Sequence, residues 1–133
     1  MARDRYAKNA SAVCNLKYHV VWCPKYRRPV LVPPVDRRLK ELVAEVATEY
    51  GFLVHKIEVM PDHVHLFVAA DPTRSVAEIV NRFKGATSRI LRQEFPRLRS
   101  RLPTLWSRSY FAATVGAVTE AAVRRYIENQ KGK

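Results

Sequence analysis

One stretch, Met60-Pro61-Asp62-His63-Val64-His65-Leu66-Phe67-Val68, limits the fold of this chain more tightly than any other. Pro61 and Asp62 favour a tight turn, and the residues after them alternate as a strand alternates. His63 and His65 then project from one face, while Val64, Leu66 and Val68 project from the other, as a strand anchored in a core requires. Two imidazoles side by side on a rigid face make half of a divalent-metal site, with the Asp62 carboxylate next to them in sequence. A bare His-x-His pair fits a strand with two incidental histidines equally well, so its meaning depends on whether the chain supplies a third ligand and a nucleophile.

The 133 residues suffice for a single domain, and with 47% of them apolar the chain can bury a real core. No apolar run approaches the ~18 residues of a membrane span, and the polar N-terminal stretch lacks a signal-peptide pattern, so the expected location is the cytoplasm. Cys14 and Cys23 lie in or beside one predicted strand. Residues that close along an extended segment cannot pair, and two thiols fall short of a zinc cage, so both read as reduced packing residues. Twenty-four Lys and Arg oppose twelve Asp and Glu, a formal net charge of +12. A small domain this basic suits a polyanion, and the preference for arginine suits phosphate forks, which makes nucleic acid the expected partner.

In order along the chain, Leu16 to Trp22 reads as a first strand, with His19 as a packing or hydrogen-bonding residue inside it. Pro24 to Pro34 holds four prolines and is expected as a loop or broken hairpin. Its cluster Lys25-Tyr26-Arg27-Arg28 suits phosphate contacts with base stacking and suits a solvated loop equally. Helical spacing runs from Val35 to Tyr50, and Gly51 is placed to stop that helix. Phe52 to Val59 reads as a second strand, with His55 structural, joined to the His63 strand as a hairpin. Asp71 to Arg74 is a turn; Ser75 with Glu78 forms a capping box for a second helix, on which Lys84 and Arg89 are candidate phosphate contacts. Phe95 to Pro103 reads as an arginine-rich connection, and a fourth strand is expected from Ser109 on, just after the candidate DNA contact Arg108. Gly116 permits a change of direction, and Thr119 caps a last helix.

The first six elements give the split βαβ, or ferredoxin-like, α+β pattern: an antiparallel sheet with two helices on one face. The core spans about residues 15–115, and the added helix spans about 119–131. On that helix Tyr126 and Gln130 stand four apart, on one face and roughly 6 Å apart along the axis. Two imidazole nitrogens and one amide oxygen can hold a divalent ion with positions left open. Such an ion can polarise a phosphodiester oxygen and so assist a tyrosine hydroxyl, which is a poor nucleophile unaided.

The chain resembles the single-tyrosine transposases of small bacterial and archaeal insertion sequences, members of the HUH (His-hydrophobic-His) endonuclease superfamily. The resemblance runs through Tyr18-His19-Val20-Val21-Trp22-Cys23-Pro24-Lys25-Tyr26-Arg27-Arg28 and Met60-Pro61-Asp62-His63-Val64-His65-Leu66. It continues in Phe83-Lys84-Gly85 with Thr87-Ser88-Arg89, in Leu105-Trp106-Ser107 with Tyr110-Phe111, and in Tyr126-Ile127-Glu128-Asn129-Gln130. The resemblance implies that His63, His65 and Gln130 bind Mg²⁺ or Mn²⁺ and that Tyr126 attaches to a 5′ phosphate, leaving a free 3′ hydroxyl. It also implies single-stranded DNA with imperfect hairpins as substrate, excision and reinsertion of an element, and a homodimer whose sites exchange tyrosine helices. Rival readings are a non-catalytic RNA- or DNA-binding module on the same fold, and a domesticated relative that cleaves repeat hairpins in the host genome.

Overall fold

Alternation along the His-x-His stretch sets the middle of the sheet. Strand β3 (His63–Ala70) buries Val64, Leu66 and Val68 completely and leaves His63, His65 and Phe67 partly exposed on the other face. The computed structural model describes residues 16–114 and 119–133, so the readings made for Cys14 and for the turn at Gly116 lie outside the described residues. Strand β1 (Leu16–Trp22) pairs antiparallel with β3, Val21 opposite His65 and Trp22 opposite Val64. Strand β2 (Leu53–Met60) pairs with the other edge of β3 and closes the expected hairpin, Met60 opposite His63. Strand β4 (Phe111–Thr114) adds to the free edge of β1. The order β2-β3-β1-β4, antiparallel throughout, is the ferredoxin-like arrangement.

Helix α1 (Val35–Tyr50) buries Leu39, Leu42, Val43 and Val46, and Gly51 ends it in the left-handed conformation (φ 75°) that a Cβ would disfavour. Helix α2 (Val76–Glu94) begins where Ser75 Oγ accepts the Glu78 N–H at 3.1 Å, and it buries Ile79, Val80, Phe83 and Leu91. These residues join Val20, Trp22, Val64, Leu66 and Val68 in one apolar core.

Two expectations need correction. The Phe95–Pro103 connection contains a short helix α3 (Pro96–Arg101), with Pro96 in its first turn and Leu98 and Leu102 buried four residues apart. β4 begins at Phe111 rather than Ser109, because the preceding segment is tied elsewhere. Lys25 N–H donates to Leu105 O (2.8 Å), Ser107 N–H donates to Cys23 O (2.9 Å), and the Lys84 ammonium occupies Ser109 O (3.0 Å). Helix α4 (Glu120–Glu128) is capped as expected, Thr119 Oγ1 accepting the Ala122 N–H at 3.0 Å. It stops short of Gln130, whose N–H bonds to Ile127 O at 3.1 Å in a tightened last turn.

Candidate active site

β3 holds His63 and His65 on the face away from the core, as the alternation requires. His63 Nδ1 lies 2.9 Å from Asp62 Oδ1. With Nδ1–H donated to that carboxylate, the Nε2 lone pair is left free, the orienting arrangement that metal-binding histidines use. His65 Nε2 lies 3.1 Å from His19 Nδ1, and its own Nδ1 is 3.8 Å from Glu58 Oε1. Burial, followed by the His19 ring, lowers the His65 pKa, which favours the neutral imidazole that can ligate a metal. His19 therefore acts as a hydrogen-bonding residue and stacks flat on Phe67, ring centroids 4.6 Å apart. His55 packs its ring against the same Phe67 at 4.8 Å.

The other two candidates meet at Ser109. Tyr126 Oη lies 3.1 Å from Ser109 Oγ, and Gln130 Oε1 accepts from the same hydroxyl at 2.9 Å. The single Ser109 proton goes to the amide oxygen, so the Tyr126 hydroxyl is the donor of its pair. Ser107 Oγ adds a long contact to Gln130 Oε1 (3.5 Å), and Gln130 Nε2 donates to Tyr126 O (3.3 Å). Gln130 is 5% exposed, although glutamine is ordinarily a solvated residue. Burial raises the Tyr126 pKa, opposed in part by the Ser109 hydrogen bond, so the phenol stays protonated at neutral pH. Tyr126 also lies near Phe111, ring centroids 6.1 Å apart.

The structure thus brings together Tyr126 with Gln130, and His63 with Asp62. Among the described residues neither Tyr126 nor Gln130 hydrogen-bonds to His63 or His65. Nor do they contain a cluster of three His, Cys, Asp or Glu groups able to hold a metal. The donor chemistry at the histidine pair suits a divalent cation: two imidazoles, one backed by a carboxylate, with a further carboxylate nearby. Ser107, Ser109 and the contact of Arg27 with Ile127 O were not legible in the sequence, because these contacts span long separations along the chain.

The basic candidates divide by environment. Arg28, Arg89 and Arg108 are exposed, and Lys25 sits partly buried over the Tyr26 ring, 5.2 Å from its centroid. Arg27 turns inward to Asp62 Oδ2 (3.4 Å) and Ile127 O (3.2 Å). Lys84 donates to Ser107 O (2.8 Å) and Ser109 O (3.0 Å), and burial pushes its pKa down to about 8. Cys23 is a buried free thiol whose pKa burial pushes up to about 12, in keeping with an inert packing residue.

Comparison with known proteins agrees with this architecture. A family model described as "Transposase IS200 like" matches residues 12–130. The chain is 40% identical over 128 residues to the ISDra2 transposase TnpA of Deinococcus radiodurans, covering 95% of this chain and 91% of that protein. It is 30% identical over 118 residues to the transposase for insertion sequence element IS200 of Salmonella typhimurium, covering 87% of this chain and 77% of the other. A crystal structure of a Deinococcus radiodurans protein, assigned there as a candidate transposase, superposes with a TM-score of 0.87 at 38% identity, covering 96% and 99% of the two chains. A REP-associated tyrosine transposase bound to a REP hairpin shares the fold alone (TM-score 0.57, 11% identity, 92% and 68% coverage). Among the described residues no helix is long and apolar enough to cross a membrane. With the greater part of its length matched by the family model and by two transposases, the chain belongs to the IS200-like transposase family.

Proposed function

We propose that this transposase cuts and rejoins single-stranded DNA at the ends of an insertion sequence, with Tyr126 as nucleophile and His63, His65 and Gln130 as ligands of Mg²⁺ or Mn²⁺. The observation that carries the reading is the coexistence of an outward-facing histidine pair, His63 oriented by Asp62 and His65 bonded to His19, with a helix that gathers Tyr126 and Gln130 at one serine. A divalent cation at the histidines would polarise a phosphodiester oxygen and offset the charge that develops on it. The Tyr126 oxygen attacks phosphorus and its proton is lost to solvent. The bond to the 3′ oxygen breaks, and that oxygen leaves as a free hydroxyl once protonated. Because a phenolate is a competent leaving group, the 5′-phosphotyrosine stores the bond for rejoining without ATP. Gln130 would supply its amide oxygen as the third ligand, and that oxygen has a second lone pair beside the one that accepts the Ser109 hydroxyl.

The substrate in this reading is single-stranded DNA folded into imperfect end hairpins, gripped by Lys25, Arg28, Arg89 and Arg108. The hairpin-bound REP-associated protein supports this by its shared fold. Two subunits pair, and each lends its tyrosine helix to the other. The test is an end-hairpin oligonucleotide incubated with Mn²⁺: Tyr126→Phe should bind it normally and form no covalent adduct. Cleavage by the Phe variant would overturn the assignment. Log affinity should also fall by ~0.7 per decade of salt for each phosphate neutralised, and a flat salt response would remove the phosphate contacts from the argument.

A further inference from the structure

Arg27 belongs to a basic cluster that suits DNA, yet its guanidinium faces the protein. Nε lies 3.4 Å from Asp62 Oδ2, and Nη1 donates to Ile127 O at 3.2 Å. The second Asp62 oxygen accepts from His63 Nδ1 at 2.9 Å. One side chain therefore joins the turn that orients His63 to the last turn of the helix that carries Tyr126. Ile127 follows Tyr126 directly, so its carbonyl moves with the Tyr126 backbone. That carbonyl lies at the negative end of α4, where a cation is favoured.

The backbone adds an independent observation. Tyr26 (φ 60°) and Arg27 (φ 53°) are both left-handed, and neither is glycine. Non-glycine residues hold this conformation only where their surroundings enforce it, and such strain concentrates at functional sites. The turn that bears the strain is the one that aims Arg27 inward. A guanidinium, with donors on several edges, can meet a carboxylate and a carbonyl at once; the point charge of lysine cannot span both.

We propose that Arg27 is a positioning residue for strand cleavage, a clamp that holds the tyrosine helix against the Asp62–His63 turn. The proposal rests on the reading of Tyr126 as nucleophile. Where subunits exchange the helix, the same clamp closes across the interface, because an exchanged element keeps the contacts it makes within one chain.

The test uses the full chain and the variants Arg27→Gln and Arg27→Lys. Amide hydrogen exchange across α4 is measured without DNA or metal. Affinity and adduct formation are then measured with a single-stranded oligonucleotide carrying the end hairpin. For Arg27→Gln the clamp predicts at least tenfold faster exchange in α4, with β3 unchanged as internal control. It also predicts at least tenfold slower adduct formation, with affinity held within twofold. Arg27→Lys should fall between, and it decides the matter if Arg27→Gln does not fold. Unchanged α4 exchange overturns the clamp. So does an affinity loss that matches the rate loss, since Arg27 would then be a phosphate contact. An adduct formed by Tyr126→Phe would instead sink the nucleophile reading, leaving the exchange result to be judged by itself.

Discussion

Along β3 the side chains that face α1 and α2 are Val64, Leu66 and Val68, each fully buried in the core, whereas the opposite face carries the partly exposed His63, His65 and Phe67. The first face is held by close packing spread over many neighbours. The second is held by single hydrogen bonds, His63 to Asp62 and His65 to His19, and by the His19 and His55 rings packed on Phe67. The helices differ in the same way. α1 and α2 bury six and five residues, respectively, while α4 buries none within Glu120–Glu128 and is fixed through Ser109, Arg27 and the half-buried Tyr126 ring. Adhesion and the proposed chemistry therefore fall on opposite faces of one sheet. The helix that carries Tyr126, the proposed nucleophile, is attached by contacts outside the apolar core.

The largest effects should separate the two faces within one strand. Leu66→Ala opens a cavity in the core and should cost ~2–5 kcal/mol in urea unfolding. His65→Ala, the preceding residue, removes a half-buried ring held by one hydrogen bond and should cost under ~1 kcal/mol, yet it should abolish adduct formation. Equal destabilisation by the two would mean that the histidine face also holds the fold together, and the contrast would fail.

How far this division could be read in advance depends on the range of the contacts. The alternation of β3, the Ser75 and Thr119 caps and the Gly51 stop are local patterns, and each appears where the sequence puts it. Helix α3 had a local signal too: Pro96 at its start and Leu98 four residues before Leu102, masked by the surrounding arginines. The burial of Gln130, the bridging by Ser109 and the inward turn of Arg27 had no such signal. They join residues 17 to 100 positions apart, and nothing in the spacing of a serine or an arginine discloses a partner at that distance.

A smaller effect sharpens the comparison between helices. Ser75→Ala and Thr119→Ala each remove a side-chain acceptor from a helix N-terminus, a change worth ~1 kcal/mol. α2 is embedded in the core, so losing the Ser75 cap should lower the unfolding midpoint of the whole protein. α4 is not embedded, so losing the Thr119 cap should speed hydrogen exchange within Glu120–Glu128 and barely move the midpoint. A global shift from Thr119→Ala would show α4 to be part of the cooperative unit.

The smallest expected effect lies at the border between the faces, where the Lys84 ammonium of α2 ties down the carbonyls of Ser107 and Ser109. Burial lowers its pKa from 10.5 to about 8, so between those values the unfolded chain holds a proton that the folded chain lacks. Stability from this residue should rise with pH across that window; below it both states are protonated and the cost of burying the charge is fully present. Cys23 works in the opposite sense, since its folded pKa rises from 9.0 to about 12 and its contribution is lost as pH climbs through that range. The comparison must therefore be made against Lys84→Met, which retains Cys23. The stability of wild type relative to Lys84→Met should rise from about pH 7.5 to pH 9.5 in urea unfolding, by about 1 kcal/mol or less because solvent still reaches the amine. A difference that stays flat would mean that the two carbonyls, rather than burial, set the charge state of Lys84, and the border would then belong to the polar face.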